Sequence, residues 1–73
     1  MGQSEVARIR EQIELEYEAM MRGMFGFAQG TAMHAFIVAR MSRVEQYHSE
    51  LTKHVGEEKA TDIVVELYNE ATK

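Results

Sequence analysis

Seventeen consecutive residues, 23–39 (GMFGFAQGTAMHAFIVA), hold no Asp, Glu, Lys or Arg in a chain that is otherwise densely charged. All three phenylalanines (Phe25, Phe27, Phe36) and three of the five glycines (Gly23, Gly26, Gly30) lie in this stretch. Five of the six methionines fall between Met20 and Met41. A chain that gathers its soft and aromatic side chains at its centre has to bury them against something. With 73 residues there is one domain at most. A chain this short buries only about 60–65% of its unfolded surface, so a partner, a metal or disulfides commonly supply the missing stability. Cysteine is absent, which removes disulfides, thiolate metal sites and a cysteine nucleophile. Self-association, a larger complex, or a metal held by His and carboxylates remain.

The net charge is −4, from 12 acidic and 8 basic residues, and no cluster of Lys or Arg forms a basic stripe. Nucleic acid and anionic membrane surfaces attract proteins through such stripes, so both are disfavoured as partners. The start Met1-Gly2-Gln3-Ser4-Glu5-Val6 has no apolar signal region, and Val6 stands where a myristoylation site needs Ser or Thr. A cytoplasmic location is therefore expected. The uncharged stretch reaches the lower length limit for a membrane span, but Gln29, Thr31, His34 and the glycines dilute it, so no membrane insertion is expected.

Proline is absent, and no run of β-branched residues alternates with period two. Apolar residues instead recur at steps of three and four, the helical period. The first helix is predicted over about residues 5–22, with Val6, Ile9, Ile13, Tyr17, Met20 and Met24 on one stripe and Ser4 as N-cap. The second is predicted over about 31–54, with Met33, Phe36, Ile37, Met41, Val44, His48, Leu51 and Val55 on its stripe and Thr31 as N-cap. Gly56 is read as a helix-ending glycine. A shorter third helix follows over about 57–72, with Ala60, Ile63, Val64, Leu67 and Ala71 inward. Glu57 and Glu58 open it and Lys73 closes it, matching the helix dipole. The fold predicted for 1–73 is all-α: an antiparallel helical hairpin plus a shorter third helix, completed as a bundle by dimerisation or higher oligomerisation.

Residues 23–30 admit two geometries. As a loop, three glycines break the chain, and this is the favoured reading. As helix, Ala19, Gly23, Gly26, Gly30 and His34 form a small-residue stripe that lets a second backbone approach. Three helical glycines cost roughly 2–3 kcal/mol against alanine, recoverable only by packing.

Three functions are compatible with this pattern. The first is a small non-enzymatic interaction or structural protein, acting through homo-oligomerisation or as a subunit of a larger complex. Its contacts would be Met20, Met24, Phe25, Phe27, Met33, Phe36, Ile37 and Met41. Methionine suits such irregular helix–helix surfaces. The second is a di-metal carboxylate-type protein. Glu45-xx-His48 projects both side chains from one helix face, and Glu16 points inward between Ile13 and Met20. Glu11 or Glu14 could contribute, although in a hairpin turning near 26–28 Glu16 faces roughly residue 39, not Glu45. No cofactor is expected apart from that divalent metal. The third is a dimeric nucleic-acid-associated regulator using Arg8, Arg10, Arg40 and Arg43. Against it, Arg40 and Arg43 are read as partners of glutamates from the first helix or from a second chain. His34 and His54 are read as helix-end histidines. No serine has a neighbouring base pattern, and GMFGFAQG lacks the Lys-Ser/Thr ending of a phosphate loop.

Overall fold

A computed structural model describes the backbone of residues 2–26 and 31–73, and the side chains of residues 4–23 and 32–73. Three α-helices make up these residues: α1 (Gly2–Gly26), α2 (Thr31–Val55) and α3 (Glu57–Ala71). The all-α hairpin with a shorter third helix is thus present, in a body 42 × 20 × 19 Å. At 1.5 Å per residue, α1 and α2 are each about 37 Å long and α3 about 22 Å.

The boundaries differ from expectation at two places. α1 begins at Gly2, so Ser4 lies inside its first turn and is not the N-cap. It also runs on to Gly26, through two of the glycines expected to end it. The expected break therefore falls outside the described residues, at 27–30. Gly23 explains how the helix continues. A Cβ on it would fall 2.6 Å from Phe36 Cζ, so only glycine lets the Phe36 ring lie against the α1 backbone. The close approach foreseen for a second helix is made here by α2 of the same chain.

Apolar stripes build the core as their spacing dictates. Ile9, Ile13, Tyr17 and Met20 of α1 are buried against Val44 and Leu51 of α2 and Ala60, Ile63 and Leu67 of α3. Val6, Ile37, Val55, Val64 and Ala71 pack around them, half-buried. Exposed ion pairs tie helix to helix at the rim: Arg8 with Glu50 at 3.7 Å and Arg10 with Glu66 at 3.9 Å. Exposed pairs of this kind are screened by water and salt and add little to stability.

Gly56 alone joins α2 to α3. Its N–H donates to the Thr52 carbonyl at 3.0 Å, and its own carbonyl accepts from Ala60 N–H at 3.0 Å. It thus ends one helix and opens the next. The positive φ expected of it is present, at 89°, but ψ of 161° places it outside the left-handed helical well. That backbone region is essentially restricted to glycine. A Cβ there would meet nothing within 4 Å, so the cost of adding one is conformational only. Gly56→Ala is expected to destabilise the fold by about 1–3 kcal/mol, read as a lower urea midpoint with unchanged helical content in the native baseline. An unchanged midpoint would mean that another backbone conformation serves equally well.

Candidate functional site

Reversal at Gly56 sends α3 antiparallel to α2 and parallel to α1. Two contacts set its level. His48 Nε2 of α2 hydrogen-bonds Thr61 Oγ1 at 2.9 Å, and the Tyr17 and Tyr68 rings meet edge-on, centroids 5.5 Å apart. Counting along each helix from these pairs, Ala71 at the end of α3 comes about level with Met20 of α1 and Val38 of α2. Beyond that level only α1 and α2 continue among the described residues.

Among the described residues, every buried one lies within 9–20, 44–51 or 60–67. No described side chain from 21 to 43 is buried, although Met21, Met33, Phe36, Ile37, Val38 and Met41 all lie there. Val38 is 50% exposed and Met41 41%. Spacing alone put Met41 on the inner stripe; it lies level with Tyr68 of α3 and is exposed all the same. Of the other contact residues expected from sequence, Met33, Phe36 and Ile37 are half-buried, while Met20 belongs to the chain's own core at 5% exposure. Phe27 and the side chains of Met24 and Phe25 fall outside the described residues.

One charged group enters the hairpin interior. Glu16 is 6% exposed, and its carboxylate accepts from Arg40 Nη1 at 2.8 Å, with Arg43 Nη1 3.7 Å from its other oxygen. Arg40 also lies over the Phe36 ring, 5.2 Å from its centroid. The sequence therefore runs Gly23, Phe36, Arg40, Glu16 across the α1–α2 seam, each group positioned by the one before. Arg40 Nε is buried without a hydrogen-bond partner among the described residues. This fits the pairing of Arg40 and Arg43 with a glutamate of the first helix.

The residues considered for a metal are not brought together. Glu16 is held by the arginines, His48 bonds Thr61 on the α3 side, and Glu45, Glu11 and Glu14 are exposed. Among the described residues no group of three or more His, Cys, Asp or Glu side chains is placed to hold a metal ion. The arginines considered for nucleic acid each stand beside a carboxylate: Arg8 by Glu5 and Glu50, Arg10 by Glu66, Arg40 and Arg43 by Glu16. His34 and His54 are exposed. Among the described residues no helix is long and apolar enough to cross a membrane.

Three titrating groups among the described residues are displaced from their ordinary values. Arg8 beside Glu5 lowers that carboxyl and is itself raised. Burial, with a lesser effect from Tyr68, pushes the Tyr17 hydroxyl above 10.0. The fold accommodates the neutral phenol, so the unfolded chain ionises first as pH rises. The stability linked to Tyr17 is then complete below pH 10.0 and is lost as pH climbs through the higher native value. The test is the difference between the wild type and Tyr17→Phe. Urea midpoints of the two should run parallel up to about pH 9 and converge or cross above it. Parallel curves throughout would show that Tyr17 ionises alike in both states.

An open groove of about 1200 Å³ lies at the opposite end, between Val6 and Arg10 of α1 and Glu57 to Glu66 of α3. Its walls mix both charges, and it is shallow. No family model matches this chain, and no curated protein sequence or solved structure matches it.

Proposed function

We propose that the protein is a small non-enzymatic helical interaction protein, working through self-association or as a subunit of a larger complex. One observation carries this reading: among the described residues burial ends at Met20 on α1 and at Val44 on α2, leaving Met21, Met33, Phe36, Ile37, Val38 and Met41 half-buried or exposed. Apolar surface gains about 25 cal/mol for each Å² removed from water. A covering partner is the direct way for a chain of this size to recover that stability. Methionine supports the reading because its flexible side chain adapts to a partner helix without a preformed pocket.

The test is the mass of the protein, both purified and in an extract of its own cells. Either the purified chain sediments as a multiple of 8.4 kDa or the native species in the extract exceeds that mass. A mass of 8.4 kDa in both preparations, at micromolar concentration and above, contradicts the reading.

A further inference from the structure

Resting on that reading, we infer that the open seam between α2 and α3 receives a basic amphipathic helix of a different protein. The first observation is where the exposed apolar residues lie. Among the described residues five large apolar side chains are exposed, and four of them, Val38, Met41, Val65 and Tyr68, belong to this seam. The hydrogen bond between His48 and Thr61 marks the side on which α2 and α3 face each other. Met41 stands two turns before His48, and Tyr68 two turns after Thr61. Residues two turns apart point nearly the same way, and in antiparallel helices these two steps lead to the same level. Val38 and Val65 flank them one turn away on their own helices. Exposed apolar side chains met singly are ordinary, whereas a contiguous set marks an interaction surface. The Tyr17 ring meets Tyr68 edge-on and holds it in place, yet Tyr68 stays open to solvent. A tyrosine fixed in this way is the kind of side chain that anchors an interface.

The second observation is charge. Glu45 lies two turns after Val38, and Glu58 two turns before Val65, so both continue these lines toward the Gly56 end. Both carboxylates are exposed, and neither has an ion-pair or hydrogen-bond partner among the described residues. The five arginines stand beside other carboxylates. The seam therefore offers four apolar side chains and, farther along, two bare negative charges. From Val38 to the level of Glu58 it runs about 20 Å, close to four turns of helix.

These features describe the complement. A helix laid in the seam with apolar residues on one face and Lys or Arg toward one end covers the four side chains and pairs both carboxylates. It completes a four-helix arrangement in which α2 and α3 are covered on their open side. The same charges argue against the other occupants. A second copy brings its own carboxylates, in a chain of net charge −4, and an anionic lipid surface is repelled in the same way.

Fluorescence anisotropy of the full chain with two labelled helical peptides of about 18 residues, five turns, tests the inference. One peptide is built from leucine, alanine and lysine with the leucines on one face; the other has glutamate in place of lysine. The lysine peptide is expected to bind and the glutamate peptide is not. Glu45→Lys with Glu58→Lys is expected to raise the dissociation constant of the lysine peptide by about tenfold or more, and Val38→Ser with Val65→Ser likewise. Glu11→Lys with Glu14→Lys changes the net charge equally on another face, and Leu15→Ser alters the fifth exposed apolar residue; both are expected within about threefold of wild type. All the substituted side chains are exposed, so folding is preserved; far-UV circular dichroism and the urea midpoint check this. No binding of the lysine peptide, or a loss at Glu11 and Glu14 equal to that at the seam, overturns the inference, and a native species in the extract heavier than 8.4 kDa then leaves the proposed function standing. A purified chain that sediments as a multiple of that mass and is dissociated by the Val38 and Val65 pair also overturns it, with a second copy as the occupant. A mass of 8.4 kDa in both preparations overturns the proposed function as well.

Discussion

Arg40→Met is expected to destabilise the fold by about 3 kcal/mol, the low end of the 3–5 kcal/mol seen when one partner of a buried pair is removed. The reason lies with Glu16. Its side chain is 8% exposed, so without Arg40 its charge stays buried, with only Arg43 at 3.7 Å. The low end applies because Arg43 remains and Arg40 itself is 27% exposed. The core of so small a domain supplies only about 3–5 kcal/mol in total, so the single variant should keep no more than about 2 kcal/mol and, at the lower limit, be about half unfolded near room temperature. Glu16→Met combined with Arg40→Met should restore most of the loss, because two apolar side chains can replace a buried pair at little or no cost. The already unpaired Arg40 Nε makes that replacement more favourable. Urea denaturation of both singles and the double gives the coupling. A double variant as unstable as the summed singles would mean that Glu16 is stabilised by something other than Arg40.

Leu51→Ala is expected to cost about 3 kcal/mol and Met33→Ala less than about 1 kcal/mol, measured at low protein concentration. Leu51 is fully buried at the meeting of the three helices, so its removal leaves a cavity that the surrounding helices cannot fill. Met33 is half-buried on the uncovered end and lies outside the core cluster, so water already takes part of the space it leaves. Alanine also has the better helix propensity. The contrast tests the burial gradient without reference to any partner. Equal losses at the two sites would show that the hairpin end is packed as firmly as the base.

The fold was largely legible because helical periodicity is a local signal. Ile9, Ile13, Tyr17 and Met20, and likewise Ala60, Ile63 and Leu67, announce their faces by spacing, and Gly56 announces the break by its conformational freedom. Glycine's low helix propensity misdirected the reading at Gly23 and Gly26. At Gly23 tertiary packing overrides it, since the Phe36 ring occupies the place of a Gly23 side chain, and no periodicity reveals that a ring on one helix needs a gap on another. The inward position of Glu16 was equally legible, but its partner was not. An inward glutamate suits a metal or an arginine, and the choice rests on the register between α1 and α2, which places Arg40 beside it and Glu45 beyond reach. The contact surface was legible as composition, in residues 23–39, and not as geometry. How much of it α3 covers depends on where α3 stops relative to α1 and α2. That level is set by three-dimensional contacts such as His48 with Thr61; it brings Met20 under α3 and into the core, whereas Met41, level with Tyr68, is still 41% exposed.

Amide hydrogen exchange, resolved by segment at two protein concentrations about a hundredfold apart, tests the central claim most directly. The base of the bundle, residues 9–20, 44–55 and 60–67, should be strongly protected at both. Residues 21–26 and 31–43 should exchange far faster at the low concentration, where no partner covers them. Protection of the hairpin end equal to that of the base at both concentrations would contradict the account, because that end would then be stabilised by its own chain.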